Sequence, residues 1–89
     1  MIKQRLQVQN KLGLHARAAG ALVDLTNTFC SQIELHFDGK AVDGKRIMSV
    51  MLLAAAQGST LDLVVTGDDE QAAAAAITAL FDNRFGEGE

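Results

Sequence analysis

Asp38-Gly39 restricts this chain more than any other pair of its residues. The dipeptide stands between two runs in which apolar and polar side chains alternate, Ile33, Leu35 and Phe37 against Gln32, Glu34 and His36 before it, and residues 40–42 after it. A two-residue type I′ hairpin turn needs positive φ at both central positions, and Asp-Gly meets that need better than almost any other pair. Two strands therefore run antiparallel in the middle of the chain. Asp43-Gly44 turns the chain again at once, so the second strand is short.

On either side of this hairpin the apolar period changes. Ile2, Leu6 and Val8 share one strand face with Gln4, and Lys3, Arg5, Gln7 and Gln9 alternate onto the other. Ala19, Leu22, Val23 and Thr26 then recur at i, i+3, i+4 and i+7, which predicts a helix over residues 16–28 with Arg17, Gly20, Ala21 and Asp24 on its far face. Ile47, Val50, Met51 and Ala54 predict a second helix over residues 45–56, ending raggedly before Gly58 and leaving Met48 and Leu52 over. Leu61, Leu63 and Val65 mark a strand over residues 60–66. A third helix follows to about Arg84, with Asp68 as N-cap, Gln71 in capping-box position, and Ala73, Ala76, Ile77, Leu80 and Phe81 as its stripe. Gly86 onward is read as a frayed acidic tail. The order βαββαβα implies an α+β open-faced sandwich, a four-stranded, largely antiparallel sheet with three helices on one face, and one domain over residues 1–89.

Composition narrows the function. Eight Lys and Arg against eleven Asp and Glu leave a formal charge of −3, which argues against nucleic acid as a partner. Cys30 is the only cysteine, so no internal disulfide and no thiol metal cluster is available; it is read as a small buried hydrophobe beside Phe29. His36 has no second ligand at metal spacing and is read as a surface strand residue. No cofactor or metal is implied. MIKQRLQVQ alternates instead of forming an apolar signal core, and no apolar run is long enough to span a membrane, so a cytoplasmic protein without membrane insertion is expected.

The chemistry is concentrated in Asn10 to Leu25, NKLGLHARAAGALVDL. A polar loop ending in Gly13-Leu14 delivers His15 to the start of the first helix, where backbone N–H groups lack intrahelical partners and the helix dipole is positive. Anions are attracted there. A histidine in that field prefers to be neutral, which makes it a nucleophile near pH 7, and Arg17 adds a permanent cation suited to phosphate.

NKLGLHARAA, then GKRIMSVMLLAAAQGS, then TGDDEQ before a closing helix resemble, in the same order and over essentially the whole chain, the histidine-containing phosphocarrier (HPr) family of the bacterial phosphotransferase system and its nitrogen-type relatives. The resemblance implies the same open-faced sandwich and a monomer. It also implies reversible phosphorylation of His15 on Nδ1 by an enzyme I-type donor, charge compensation by Arg17 and by the N–H groups of Ala16 and Arg17, and delivery to an enzyme IIA-type acceptor. Such a protein is a stoichiometric carrier and not an enzyme. Leu14, Gly20, Ile47, Met48 and Met51 are the candidate partner surface, exposed apolar residues beside the His15 helix.

Three positions depart from the family pattern, one of them Gly20 on the open face of the first helix, read either as drift at a tolerant position or as a flat landing place for a partner backbone. Ala18 stands where a proline is common, so a modest loss of rigidity is expected in the first helical turn. Arg46 stands where some members carry a regulatory serine, and Ser49 lies nearly one turn away. The first six elements alone equally suggest a ferredoxin-like domain. An RNA-recognition module would need aromatic residues on the open sheet face, and a metal carrier would need paired cysteines. An acylphosphatase-like enzyme is the remaining alternative of that class, set against the lack of any glycine-rich cradle beyond Gly13. A non-phosphorylated adaptor is a third class, against which His15 itself weighs.

Overall fold

The computed structural model describes residues 1–88. Its elements are β1 (Ile2–Gln7), α1 (Ala16–Thr26), β2 (Gln32–Phe37), β3 (Lys40–Asp43), α2 (Ile47–Leu52), β4 (Thr60–Thr66) and α3 (Glu70–Asp82), followed by a 3₁₀ turn at Arg84–Gly86. The strands form one sheet in the order β1-β4-β2-β3, with every pair antiparallel. The three helices cover one of its faces. Asp38 and Gly39 have φ of 52° and 79°, the two positive values a type I′ turn requires. With β4 and β2 in the centre, the order differs from a ferredoxin-like sheet, whose first and third strands are central.

Alternation decides which side of each strand is buried. Ile33 and Leu35 of β2 lie across from Val65 and Leu63 of β4, Leu61 pairs with Leu6 of β1, and all six are buried. Leu22 of α1, Val50 of α2, and Ile77 and Phe81 of α3 close the core from above. Burying a side chain of this size contributes about 1.5–3 kcal/mol. Ala18 is fully buried beside Ala19, so packing holds the turn that a proline would otherwise stiffen.

The far end of α1 is tied down by polar groups. Thr26 Oγ1 donates to the Gly44 carbonyl at 2.7 Å, and Asn27 Nδ2 donates to the Lys45 carbonyl at 3.1 Å. These bonds end α1 two residues before the expected Thr28. The near end is set by Gly13, at φ +67°, where an added Cβ would come within 2.5 Å of the Ala55 carbonyl oxygen. That same oxygen accepts the Leu14 N–H at 2.9 Å. Gly13→Ala is therefore expected to destabilise the protein by about 2 kcal/mol or more, from backbone overpacking and strain. In thermal unfolding this corresponds to a fall of roughly 10 °C in the midpoint; an unchanged midpoint would refute the close approach.

Several boundaries and burials differ from the sequence reading. The second helix is six residues long and does not fill residues 45–56. Ala54 takes φ +51°, a left-handed turn that carries the Ala55 carbonyl to Leu14 and could not continue a helix. Asp68 is not the N-cap of α3. Asp69 holds that position without a side-chain cap bond, because its carboxylate accepts instead from the Ser31 hydroxyl and from the N–H groups of Cys30 and Ser31. The Ser31 hydroxyl first, and the Cys30 N–H next, hold the Asp69 carboxyl below its usual range. Cys30 is exposed, contrary to the expected burial, since that turn spends its backbone on Asp69 while Phe29 packs partly against the core. The tail is not frayed over its described part, Glu89 lying outside the described residues. Phe85 is buried against Phe81 with ring centroids 4.8 Å apart, and this anchors Gly86 and Glu87 next to the His15 loop.

Candidate functional site

His15 is the N-cap of α1, with extended backbone (φ −74°, ψ 177°) and no side-chain cap bond. The first intrahelical bond runs from the Ala19 N–H to the His15 carbonyl at 2.8 Å, so the amides of Ala16 and Arg17 precede the helical ladder. The side chain is thus turned outward from the helix start. It lines an open cleft of about 340 Å³ with Lys11, Leu12, Arg17, Gly86, Glu87 and Gly88. Ala16, next to His15, and Arg17 are both exposed.

The ring is engaged from one side. His15 Nε2 lies 2.6 Å from Glu87 Oε2. The other carboxylate oxygen of Glu87 accepts from Asn10 Nδ2 at 2.9 Å, and the same Asn10 amide donates to the Gly13 carbonyl at 2.7 Å. Asn10 is fully buried, and its Oδ1 has no partner among the described residues, the cost of turning both amide hydrogens toward the loop and Glu87. The Asn10 hydrogen bond, ahead of the opposing desolvation and of His15 and Arg17, holds the Glu87 carboxyl below the usual glutamate value. Glu87 is therefore an anion at neutral pH.

Asn10 and Glu87 were outside the expected site. Asn10 heads the His15 stretch, but nothing local distinguishes a buried asparagine from an exposed loop asparagine. Glu87 had no signal at all, because a Gly-Glu-Gly-Glu ending carries no periodicity and its partner is 72 positions away.

The expected partner surface is placed unevenly. Leu14 is only 4% exposed and belongs to the core, which removes it from any docking face. Ile47, Met48 and Met51 are exposed on α2, and Leu12 and Leu52 join them, Met48 and Leu52 at 70% each. Gly20 is half-buried, and a Cβ there would meet Ile47 Cδ1 at 3.8 Å, so this glycine lies where α1 approaches α2. Arg46 is the N-cap of α2 and pairs with Asp43 at 3.4 Å. His36 makes a 3.1 Å contact with Glu34 on the sheet. Among the described residues no three His, Cys, Asp or Glu side chains are grouped to hold a metal, and no helix is long and apolar enough to cross a membrane.

Residues 2–83 match the family described as "PTS HPr component phosphorylation site". The chain is 51% identical to the phosphocarrier protein HPr of Cupriavidus necator over 89 residues, the whole of both chains. In structure it resembles HPr-C-His from Thermoanaerobacter tengcongensis, with a TM-score of 0.96, 39% identity and full coverage of both chains. It also resembles the HPr dimer from the same organism, with a TM-score of 0.79 and 40% identity over 98% of this chain and 100% of the other.

Proposed function

The chain belongs to the HPr family, the phosphocarriers of the bacterial phosphotransferase system, and on that premise we propose that His15 is the residue that takes up and releases the phosphoryl group. A carrier of this family is loaded and unloaded stoichiometrically and is not a catalyst in itself. The observation that carries the assignment is the histidine at the N-cap of α1, its ring in an open cleft that Arg17 also lines.

An enzyme I-type phosphohistidine donor presents its phosphorus in line with Nδ1 of His15. The Nδ1 lone pair forms the new P–N bond as the donor's P–N bond breaks and its electron pair returns to the donor ring. The phosphoryl oxygens face the N–H groups of Ala16 and Arg17, and the guanidinium of Arg17 offsets their charge. An enzyme IIA-type acceptor then attacks the same phosphorus. Phosphoryl transfer depends chiefly on alignment and charge compensation, so one nucleophile and one arginine suffice in a domain of this size. Ile47, Met48, Met51 and the Gly20 seam form the face that docks donor and acceptor. The carrier works in the cytoplasm and as a monomer, the latter supported by His15, Arg17 and Glu87 lining one cleft within a single chain.

The test is incubation with phosphoenolpyruvate and an enzyme I-type donor. One phosphoryl mass should appear, map to His15, and disappear in mild acid. Catalytic hydrolysis of an acyl phosphate without any partner protein would favour the acylphosphatase reading instead.

The family's seryl kinase provides a further check. Arg46 stands at the start of α2, where a hydroxyl would be needed, while Ser49 is half-buried three residues on, nearly one turn around the helix. No seryl phosphorylation by such a kinase is expected in the natural protein, and Arg46→Ser should restore it in part. Stoichiometric label on Ser49 would show that helix position does not govern the kinase.

A further inference from the structure

We propose that Glu87 is the positioning residue of the phosphoryl-transfer site: its carboxylate holds the proton of the His15 ring on Nε2, before and after phosphorylation. The inference rests on His15 being the acceptor.

The geometry allows only one arrangement of the proton. An ionised carboxylate has no hydrogen to donate, so at 2.6 Å from Glu87 Oε2 the hydrogen between them belongs to Nε2 of His15. In the neutral ring that leaves Nδ1 as the unprotonated nitrogen, with its lone pair available for attack. The second carboxylate oxygen is fixed by Asn10, itself buried and bonded to the Gly13 carbonyl of the same loop. The carboxylate is thereby fastened to the loop that carries His15. Phe85, packed on Phe81, fastens it from the other direction. A hydrogen-bonded carboxylate that sets the tautomer of a reacting imidazole is a recurrent device of histidine chemistry.

The same contact acts on the loaded state. When Nδ1 bonds phosphorus, no proton has to leave, and the ring becomes a cation with its hydrogen still on Nε2. Glu87 faces that cation directly. The phosphoryl group is on the opposite side of the ring from that contact, and besides Glu87 itself the charged groups lining the cleft are Arg17 and Lys11. A protonated ring is the better leaving group, because the electron pair of the breaking P–N bond returns to a cation and leaves a neutral imidazole. Glu87 therefore keeps the phosphoryl group transferable at neutral pH.

Two measurements on the full chain test this. In the unmodified, nitrogen-15-labelled protein at pH 8, the imidazole shifts of His15 should show Nε2 protonated and Nδ1 bare; the reverse tautomer would overturn the proposal. In the phosphorylated protein, Glu87→Gln retains a hydrogen-bond acceptor but removes the charge. The pH at which the phosphohistidine ring loses its proton, and with it the fall in hydrolysis rate, should move to lower pH by ~1 unit. Near neutrality the variant should then hold its phosphoryl group up to about tenfold longer. Glu87→Asp should return part of the shift, which loss of tail packing alone would not explain. A Glu87→Gln profile superimposable on that of the natural protein would refute the role of Glu87, whereas absence of phosphohistidine at His15 in both proteins would refute the acceptor assignment.

Discussion

His15→Ala is expected to abolish acid-labile phosphoryl uptake completely while leaving the protein folded. The N-cap of α1 makes no side-chain cap bond, so the substitution forfeits none of the ~1 kcal/mol that a capping side chain contributes. The backbone role of the position, its carbonyl accepting from Ala19, survives in alanine. What disappears is the ring nitrogen, and no other histidine is near: His36 is on β2, bonded to Glu34. Mass measurement after incubation with the donor gives the phosphoryl count, and circular dichroism with thermal unfolding gives the fold. Retained label in a folded His15→Ala protein would move the site elsewhere.

Arg17→Glu is the second large effect, a fall in transfer rate on the order of 10²- to 10³-fold. The variant places an anion where the phosphoryl oxygens must settle, and adds it to the charge of Glu87 across the same cleft. Stability should move little and in the opposite sense. Arg17 is exposed in the first turn of α1, where a carboxylate interacts favourably with the helix dipole by about 0.3–1 kcal/mol. A variant that is equally or slightly more stable yet transfers slowly separates charge compensation from folding. Rapid single-turnover transfer from a phosphorylated donor would dismiss Arg17 from the mechanism.

The carboxylates add an acid limit to the fold. Asp69, held below its usual range by Ser31 and Cys30, and Glu87, held down chiefly by Asn10, are both more acidic in the folded chain than in the unfolded one. Their contribution is therefore full above the ordinary carboxylate pKa and is lost as pH falls through the depressed values. The Asp69 clamp secures the start of β2, and Glu87 secures the tail, so acid should loosen the tail and that turn before it reaches the core.

Local chemistry determined a good deal of this protein without any tertiary context. Asp38-Gly39 had to turn with both φ angles positive, and β4 could bury only Leu61, Leu63 and Val65 by alternation, as it does. The stripe that begins at Ala19 put His15 at or beside the start of a helix, and it is the N-cap. All of these depend on residues within about one turn or one strand of each other, where periodicity and turn conformation are strong. Distant contacts decided the rest. Leu14 and Ala55 bind each other across 41 positions, and this buried the leucine and stopped α2 at Leu52. Asp69 left its helix to serve Ser31, 38 positions back, and so left Cys30 exposed on the turn. Glu87 reached His15 only because Phe85 found a place against Phe81. A side chain with two competing partners, or a tail with one anchor, is settled by which contact the whole fold brings within reach, and no window of neighbouring residues contains that information.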